Sequence, residues 1–173
     1  QVGYFEAPLV PGAYYLGVCV DDVAGESNTS NNCSSGVSVT VTAAPDLVIP
    51  GLTADDRTVF TDEPFTLTAT VLNRGAVTSG KTWIRYYLSV DPNIDWNSKE
   101  LGADGVDGLL PGADATEEFA GLASSKEDSF YLGACVEPVS GEANIYNNCS
   151  EALSMTVSER PAKVNRSPPF NSA

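Results

Sequence analysis

Asp91, Asn93, Asp95, Asn97 and Glu100 carry side-chain oxygens at alternate positions and then three residues on, within the run Asp91-Pro92-Asn93-Ile94-Asp95-Trp96-Asn97-Ser98-Lys99-Glu100. That rhythm is the one a calcium loop uses, because a hard cation gathers carboxylate and amide oxygens. Two positions depart from an EF-hand: Trp96 stands where the sharp turn needs glycine, and Gly102 where a bidentate glutamate belongs. A surface turn rich in Asp and Asn accounts for the same residues without a metal. Both readings stand at this level.

The four cysteines form two equally spaced pairs, Cys19 with Cys33 and Cys135 with Cys149. Metal binding would call for CxxC spacing or histidine partners, and the chain has no histidine, so two local disulfides are expected. Each would close a loop of about 15 residues, worth on the order of 3 kcal/mol. Such bonds persist in oxidising surroundings, which points to a secreted or cell-surface location.

The Asn-rich loops between the paired cysteines, Asp21 to Asn32 and Glu137 to Asn148, raise the metal question again. Glu26, Asn28 and Asn31 correspond to Glu142, Asn144 and Asn147, but Asp22 corresponds to Pro138, so one carboxylate is lost. Asn and Gly at fixed offsets fit Asx-type turns better than a cation cage. Asn28, Asn32, Asn148 and Asn165 satisfy the N-x-S/T pattern, which permits glycosylation where the machinery exists. Glu117 and Glu118 are neighbours on a strand and face opposite ways, so they cannot act as an acid/base pair. With no histidine and the thiols expected to be oxidised, nucleophilic triads drop out and a non-enzyme is predicted.

The elements that must hold these residues read as strands. Short β-branched and aromatic runs alternate with period two between Gly, Pro, Asn and Asp clusters. Strands are expected near Asp46 to Thr53, Phe65 to Asn73, Thr82 to Val90, Lys99 to Ala103, Ala115 to Leu122, Ser129 to Glu137 and Glu151 to Ser158. About seven short strands with turn signals between them predict an all-β, immunoglobulin-like β-sandwich. Phe65, Leu67, Ala69 and Val71 should face inward, and Trp83 reads as the large core residue of its strand.

An internal repeat organises the chain. Leu16 to Thr42 matches Leu132 to Ser158 with 15 of 27 positions identical and both cysteines in register. Residues 45–158 read as a complete module, and residues 1–44 as the C-terminal part of an incomplete one: strands at Tyr14 to Val20 and Val37 to Val41, with at most one more around Val2 to Ala7. An isolated hairpin is marginal in water, so its apolar face needs a cover. Ala43-Ala44-Pro45 is too short for a free linker and predicts a stiff joint. Residues 159–173 form a Pro- and Ser-rich tail in which Arg160, Lys163 and Arg166 give net positive charge, against a net charge of −14 for the whole chain. So acidic a body excludes nucleic acid as an expected partner, and no apolar run reaches the length of a membrane helix.

The string CVDDVAGESNTSNNCS with its flanking strands, the opening PDLVI at Pro45 to Ile49, and TATVLNRG at Thr68 to Gly75 together resemble the CARDB family, the cell-adhesion-related domain found in bacteria. The resemblance implies tandem immunoglobulin-like modules on extracellular proteins, with adhesive or spacer roles and no catalysis of their own. The expected function is a structural module that assembles head to tail with copies of itself, the partial repeat completed by another subunit and the basic tail docking on an acidic surface. A carbohydrate- or surface-binding accessory module is the alternative, with Trp96 and Tyr146 as its exposed aromatics.

Overall fold

The computed structural model describes residues 10–161; the strand expected at Val2 to Ala7, and Lys163, Asn165 and Arg166 of the tail, lie outside the described residues. Ten strands follow in order: β1 (Gly12–Leu16), β2 (Val37–Val41), β3 (Leu47–Ala54), β4 (Thr58–Phe60), β5 (Pro64–Asn73), β6 (Thr82–Ser89), β7 (Lys99–Val106), β8 (Asp114–Leu122), β9 (Asp128–Val136) and β10 (Leu153–Ser158). The described residues contain no helix. The chain is all-β, and residues 45–158 form an immunoglobulin-like β-sandwich.

One layer is the three-stranded sheet β3-β5-β8 and the other the five-stranded sheet β4-β10-β9-β6-β7, while among the described residues β1 and β2 pair only with each other. Pairings are antiparallel except β4 with β10, which run parallel. The three-residue β4 has no signature of its own in the sequence and exists because β10 offers an edge to Arg57–Phe60.

Period-two alternation sets the core. Phe65, Leu67, Ala69 and Val71 on β5 are all buried, with Thr66, Thr68 and Thr70 on the other face. Facing them are Ile84, Tyr86 and Leu88 of β6, Leu132, Ala134 and Val136 of β9, and Met155 and Val157 of β10. Tyr86 and Phe119 of β8 stack across the layers with ring centroids 4.9 Å apart. Gly102 makes room for this stack, since a Cβ there would come within 2.4 Å of Phe119.

Trp83 is not a core residue. It is 52 % exposed, and the inward set on β6 is Thr82, Ile84, Tyr86 and Leu88. Both parities of this strand carry aromatics, so alternation alone does not say which parity faces in. Tyr87, on the outer face with Trp83, is nonetheless 2 % exposed, because the loop after β6 folds back over it. Ile94 of that loop sits on Gly133, where a Cβ would come within 2.4 Å of its side chain, and Trp96 meets Tyr87 edge-on at 6.2 Å.

The Ala43-Ala44-Pro45 joint is anchored to the sandwich. Ala44 O accepts the Ala76 amide at 2.9 Å, and Pro45 O accepts the Ala143 amide at 2.8 Å.

Candidate functional site

The disulfide-pinned hairpin is the element repeated in the sequence, and its two copies sit in different surroundings. Both cysteine pairs are bonded, Cys19 to Cys33 and Cys135 to Cys149, and each pair bridges the strands at the base of its loop. The loops fold alike. Val20 donates to Asn32 O at 2.9 Å as Val136 donates to Asn148 O at 2.9 Å, and Ser34 donates to Val18 O as Ser150 donates to Ala134 O, both at 2.8 Å. Glu26 Oε2 accepts the Val23 amide at 3.2 Å, and Glu142 Oε2 the Val139 amide at 2.9 Å. Asn28 and Asn144 each accept an amide two residues on at 3.0 Å, the Asx turn expected of them. Gly25 and Gly141 both take positive φ, 89° and 77°, which an L side chain resists.

In the second copy the loop does something more: it grips the first strand of the module. Glu142 Oε1 accepts the Leu47 amide at 2.8 Å, the Ala143 amide reaches Pro45 O at 2.8 Å, and Asn147 Nδ2 donates to Asp46 Oδ1 at 3.1 Å. Asp46 is 2 % exposed, and its other oxygen accepts Arg74 Nε at 2.6 Å, so the buried carboxylate is paired and hydrogen-bonded as its burial demands. Gly75 completes the grip. A Cβ there would lie 2.4 Å from Ala44 O and 2.5 Å from Asp46 N, so glycine is what lets the chain pass.

The first copy makes none of these three contacts. Glu26 Oε1, the Ser27 amide and Asn31 Nδ2, the counterparts of the gripping groups, have no hydrogen-bond partner among the described residues. Its strands are bare as well. Leu132, Ala134, Val136 and Met155 are buried, while their counterparts Leu16, Val18, Val20 and Val39 are 44 %, 74 %, 68 % and 36 % exposed.

The side-chain oxygens proposed for calcium in the loop after β6 are engaged within the protein. Asp91 Oδ1 is taken by the Asn93 amide at 2.8 Å, and Asp95 Oδ1 by the amides of Asn97 and Ser98 at 2.8 and 3.1 Å. Glu100 turns to Arg85 Nη1 at 2.9 Å, and Asn97 Nδ2 points its donor at Asp95. Among the described residues no group of three or more acidic, Cys or His side chains could hold a metal ion. The donors are spent on two successive Asx turns, and the hydrogen bonds from Asn97 hold the Asp95 carboxyl below its ordinary range.

Asn148, one of the N-x-S/T sites, is buried. It is 1 % exposed, with Nδ2 donating to Val136 O and to Glu142, so a glycan there would have to displace both bonds. Asn28 is exposed, and Asn32 is half-buried with Nδ2 on Asp22 and Glu26. Trp96, 44 % exposed, lies at the end of the sandwich opposite Tyr146, which is 93 % exposed, because β6 and β9 run antiparallel. They form no joint platform.

Glu117 of β8 lies on the inner face with Ala115 and Phe119, and burial, followed by the charges of Asp104 and Asp107, raises its pKa. Tyr86 Oη and Asp104 Oδ2 are buried without hydrogen-bond partners in the same region, and burial likewise pushes the Tyr86 hydroxyl up. Asp46, Arg74 and Gly75 were not singled out by sequence reasoning, although PDLVI and LNRG carried the resemblance; the available signal was that Glu and Asn recur at the same loop positions in both copies.

Known proteins share this fold. The structure matches the crystal structure of a CARDB domain from Pyrococcus furiosus, described there in complex with di-metal ions, with a TM-score of 0.55 at 20 % identity, covering 70 % of this chain and 100 % of that one. A solution structure of the same domain matches with a TM-score of 0.52 at 20 % identity, covering 67 % and 97 %. A domain of a putative cell surface protein from Methanosarcina acetivorans gives 0.49 at 24 % identity, covering 68 % and 95 %. No curated protein sequence matches the chain. Two disulfides are consistent with an extracellular location, and among the described residues no helix is long and apolar enough to cross a membrane. The CARDB family profile matches residues 44–152, the span that includes both the gripped strand and the loop that grips it, and the chain therefore belongs to the CARDB family.

Proposed function

We propose that this chain is a non-catalytic structural and adhesive element of the cell surface, which assembles head to tail through a neighbouring subunit that covers and completes the N-terminal hairpin. The observation that carries this reading is the contrast between the two hairpins: residues that are core in one are solvent-facing in the other. A hairpin whose two strands pair only with each other among the described residues is a template for strand addition. A chain without histidine, whose four cysteines are all disulfide-bonded, offers no conventional nucleophile and base. Size-exclusion chromatography with light scattering tests the assembly. The expected result is a mass that grows with concentration; a constant monomer mass overturns it.

Carbohydrate binding is the second reading, and the exposed Trp83 favours it. Its indole lies beside Gly105 on the outer face of the five-stranded sheet, 52 % exposed, a flat apolar surface open to solvent. Binding on a glycan array that disappears in Trp83→Ala supports this reading, and an array with no binding rejects it.

A further inference from the structure

We infer that the disulfide-pinned loop of the N-terminal hairpin is a docking site for a Pro-Asp-aliphatic strand presented by an immunoglobulin-like half-module of the kind built by residues 45–122, with Glu26, the Ser27 amide and Asn31 as the receiving groups. The inference rests on the reading that this hairpin is completed, and is separate from whether identical subunits do the completing.

The second copy shows the complex already made. There the strand presents a carbonyl at Pro45, a carboxylate at Asp46 and an amide at Leu47, and the loop answers with the Ala143 amide, Asn147 Nδ2 and Glu142 Oε1. Proline suits the first position because only its carbonyl is used, and it has no amide to leave unpaired. The first copy presents the same chemistry at Ser27, Asn31 and Glu26, on a loop whose backbone hydrogen bonds, Glu26 bond to Val23 and Asx turn match those of its twin, Asn32 differing in donating to Asp22 and Glu26 Oε2. The site is therefore shaped before its occupant arrives, which lowers the ordering cost of binding.

Two further features select a whole half-module over a bare peptide. The exposed face of Leu16, Val18, Val20 and Val39 matches a face that in the complete module lies against β3, β5 and β8, which a single strand could not cover. Gly17 corresponds to Gly133, the glycine that receives Ile94 from the loop after β6. At Gly17 a Cβ would meet only Ser34, at 3.5 Å, so the seat for an Ile94-like side chain is kept and open. The occupant must also carry its own cation beside the aspartate, as Arg74 stands beside Asp46, because an acidic loop supplies none.

Two experiments on the full chain test the inference. In the first, residues 137–148 are replaced by residues 21–32, so that the first loop must hold Pro45 to Leu47 in a module that otherwise folds. Amide exchange at Leu47 should stay within about threefold of the parent, because Glu26 takes over the bond that Glu142 makes; full loss of protection there overturns the assignment. In the second, a duplicate of residues 45–127 replaces residues 1–11, so that the hairpin follows it as Asp128 follows Glu127. The amides of Val18 and Val20 should then exchange at least tenfold more slowly than in the parent. Asn31→Ala, or Asp46→Ala within the duplicate, should each raise exchange by roughly 5- to 30-fold, with the double variant no worse than either, as expected for partners in one contact. Unchanged exchange at Val18 and Val20, or single effects that simply add, overturns the docking site. A chain that stays monomeric yet passes both experiments disproves only the self-assembly reading.

Discussion

Glu142 holds Leu47 across 95 residues of sequence: its Oε1 accepts the Leu47 amide at 2.8 Å while the same carboxylate takes Val139 N and Asn148 Nδ2. The loop thereby closes the sandwich on its first strand. The same glutamate in the first copy, Glu26, bonds only within its own loop, to Val23 and Asn32. Removing a partly buried carboxylate that satisfies three donors strands those donors.

Glu142→Ala should therefore destabilise the module by about 2–4 kcal/mol in urea denaturation, since each abandoned donor costs on the order of 1 kcal/mol. Glu26→Ala should leave the same transition unmoved, because Glu26 touches nothing in the sandwich. Equal effects from the two substitutions would contradict the distinction between the copies.

Gly75→Ala should cost about 2–4 kcal/mol, in the range of overpacking against a backbone that cannot yield. The added methyl meets Ala44 O and Asp46 N, main-chain atoms held by the Ala76 amide and by Asn73. Gly51→Ala is the control, as open space surrounds its Cβ position. Thermal unfolding of the pair would reveal the difference.

Glu117 should make stability fall with rising pH. Burial raises its pKa on folding, so the folded state holds the proton more tightly than the unfolded chain does, and stability is lost as pH climbs from the ordinary carboxylate range through the raised value. Glu117→Gln should accordingly stabilise the protein at neutral pH by a few tenths to about 1 kcal/mol, discounted for its partial exposure. Below the ordinary glutamate range the two proteins should unfold alike. A stabilisation that persists in acid would point to packing instead of charge.

Calcium should leave the melting curve of the protein where it is, since the loop after β6 spends its oxygens on its own amides. Asp95→Ala should speed hydrogen exchange at Asn97 and Ser98 and barely touch β6 or β9. Asp95 is held below its ordinary pKa, so this local protection should be present above the ordinary aspartate range and fade as acid protonates it. A calcium-dependent rise in melting temperature would support the metal reading.

The two disulfides should differ in accessibility. Cys19 and Cys33 are exposed, whereas Cys135 is fully buried. Mild reductant followed by alkylation and mass spectrometry should label Cys19 and Cys33 first, and labelling of Cys135 should require unfolding.

Local pattern determined much of this protein from the sequence alone. Alternation along Phe65 to Val71 placed that strand's core face, the cysteine spacing named both disulfides, and the repeat in register placed Gly25 and Gly141, and Asn28 and Asn144, at matching turns. Each of these depends on residues close together in the chain, or on a period. Tertiary structure alone decided which parity of β6 faces inward, because Trp83 and Tyr86 are both aromatic and only the opposing sheet chooses between them. It also decided that Asp91 and Asp95 build turns while Glu142 and Asn147 grip Asp46 and Leu47. Carboxylates and amides in a loop read alike in sequence; what they do depends on which donors the fold brings within hydrogen-bond reach, and those donors lie up to 101 residues away.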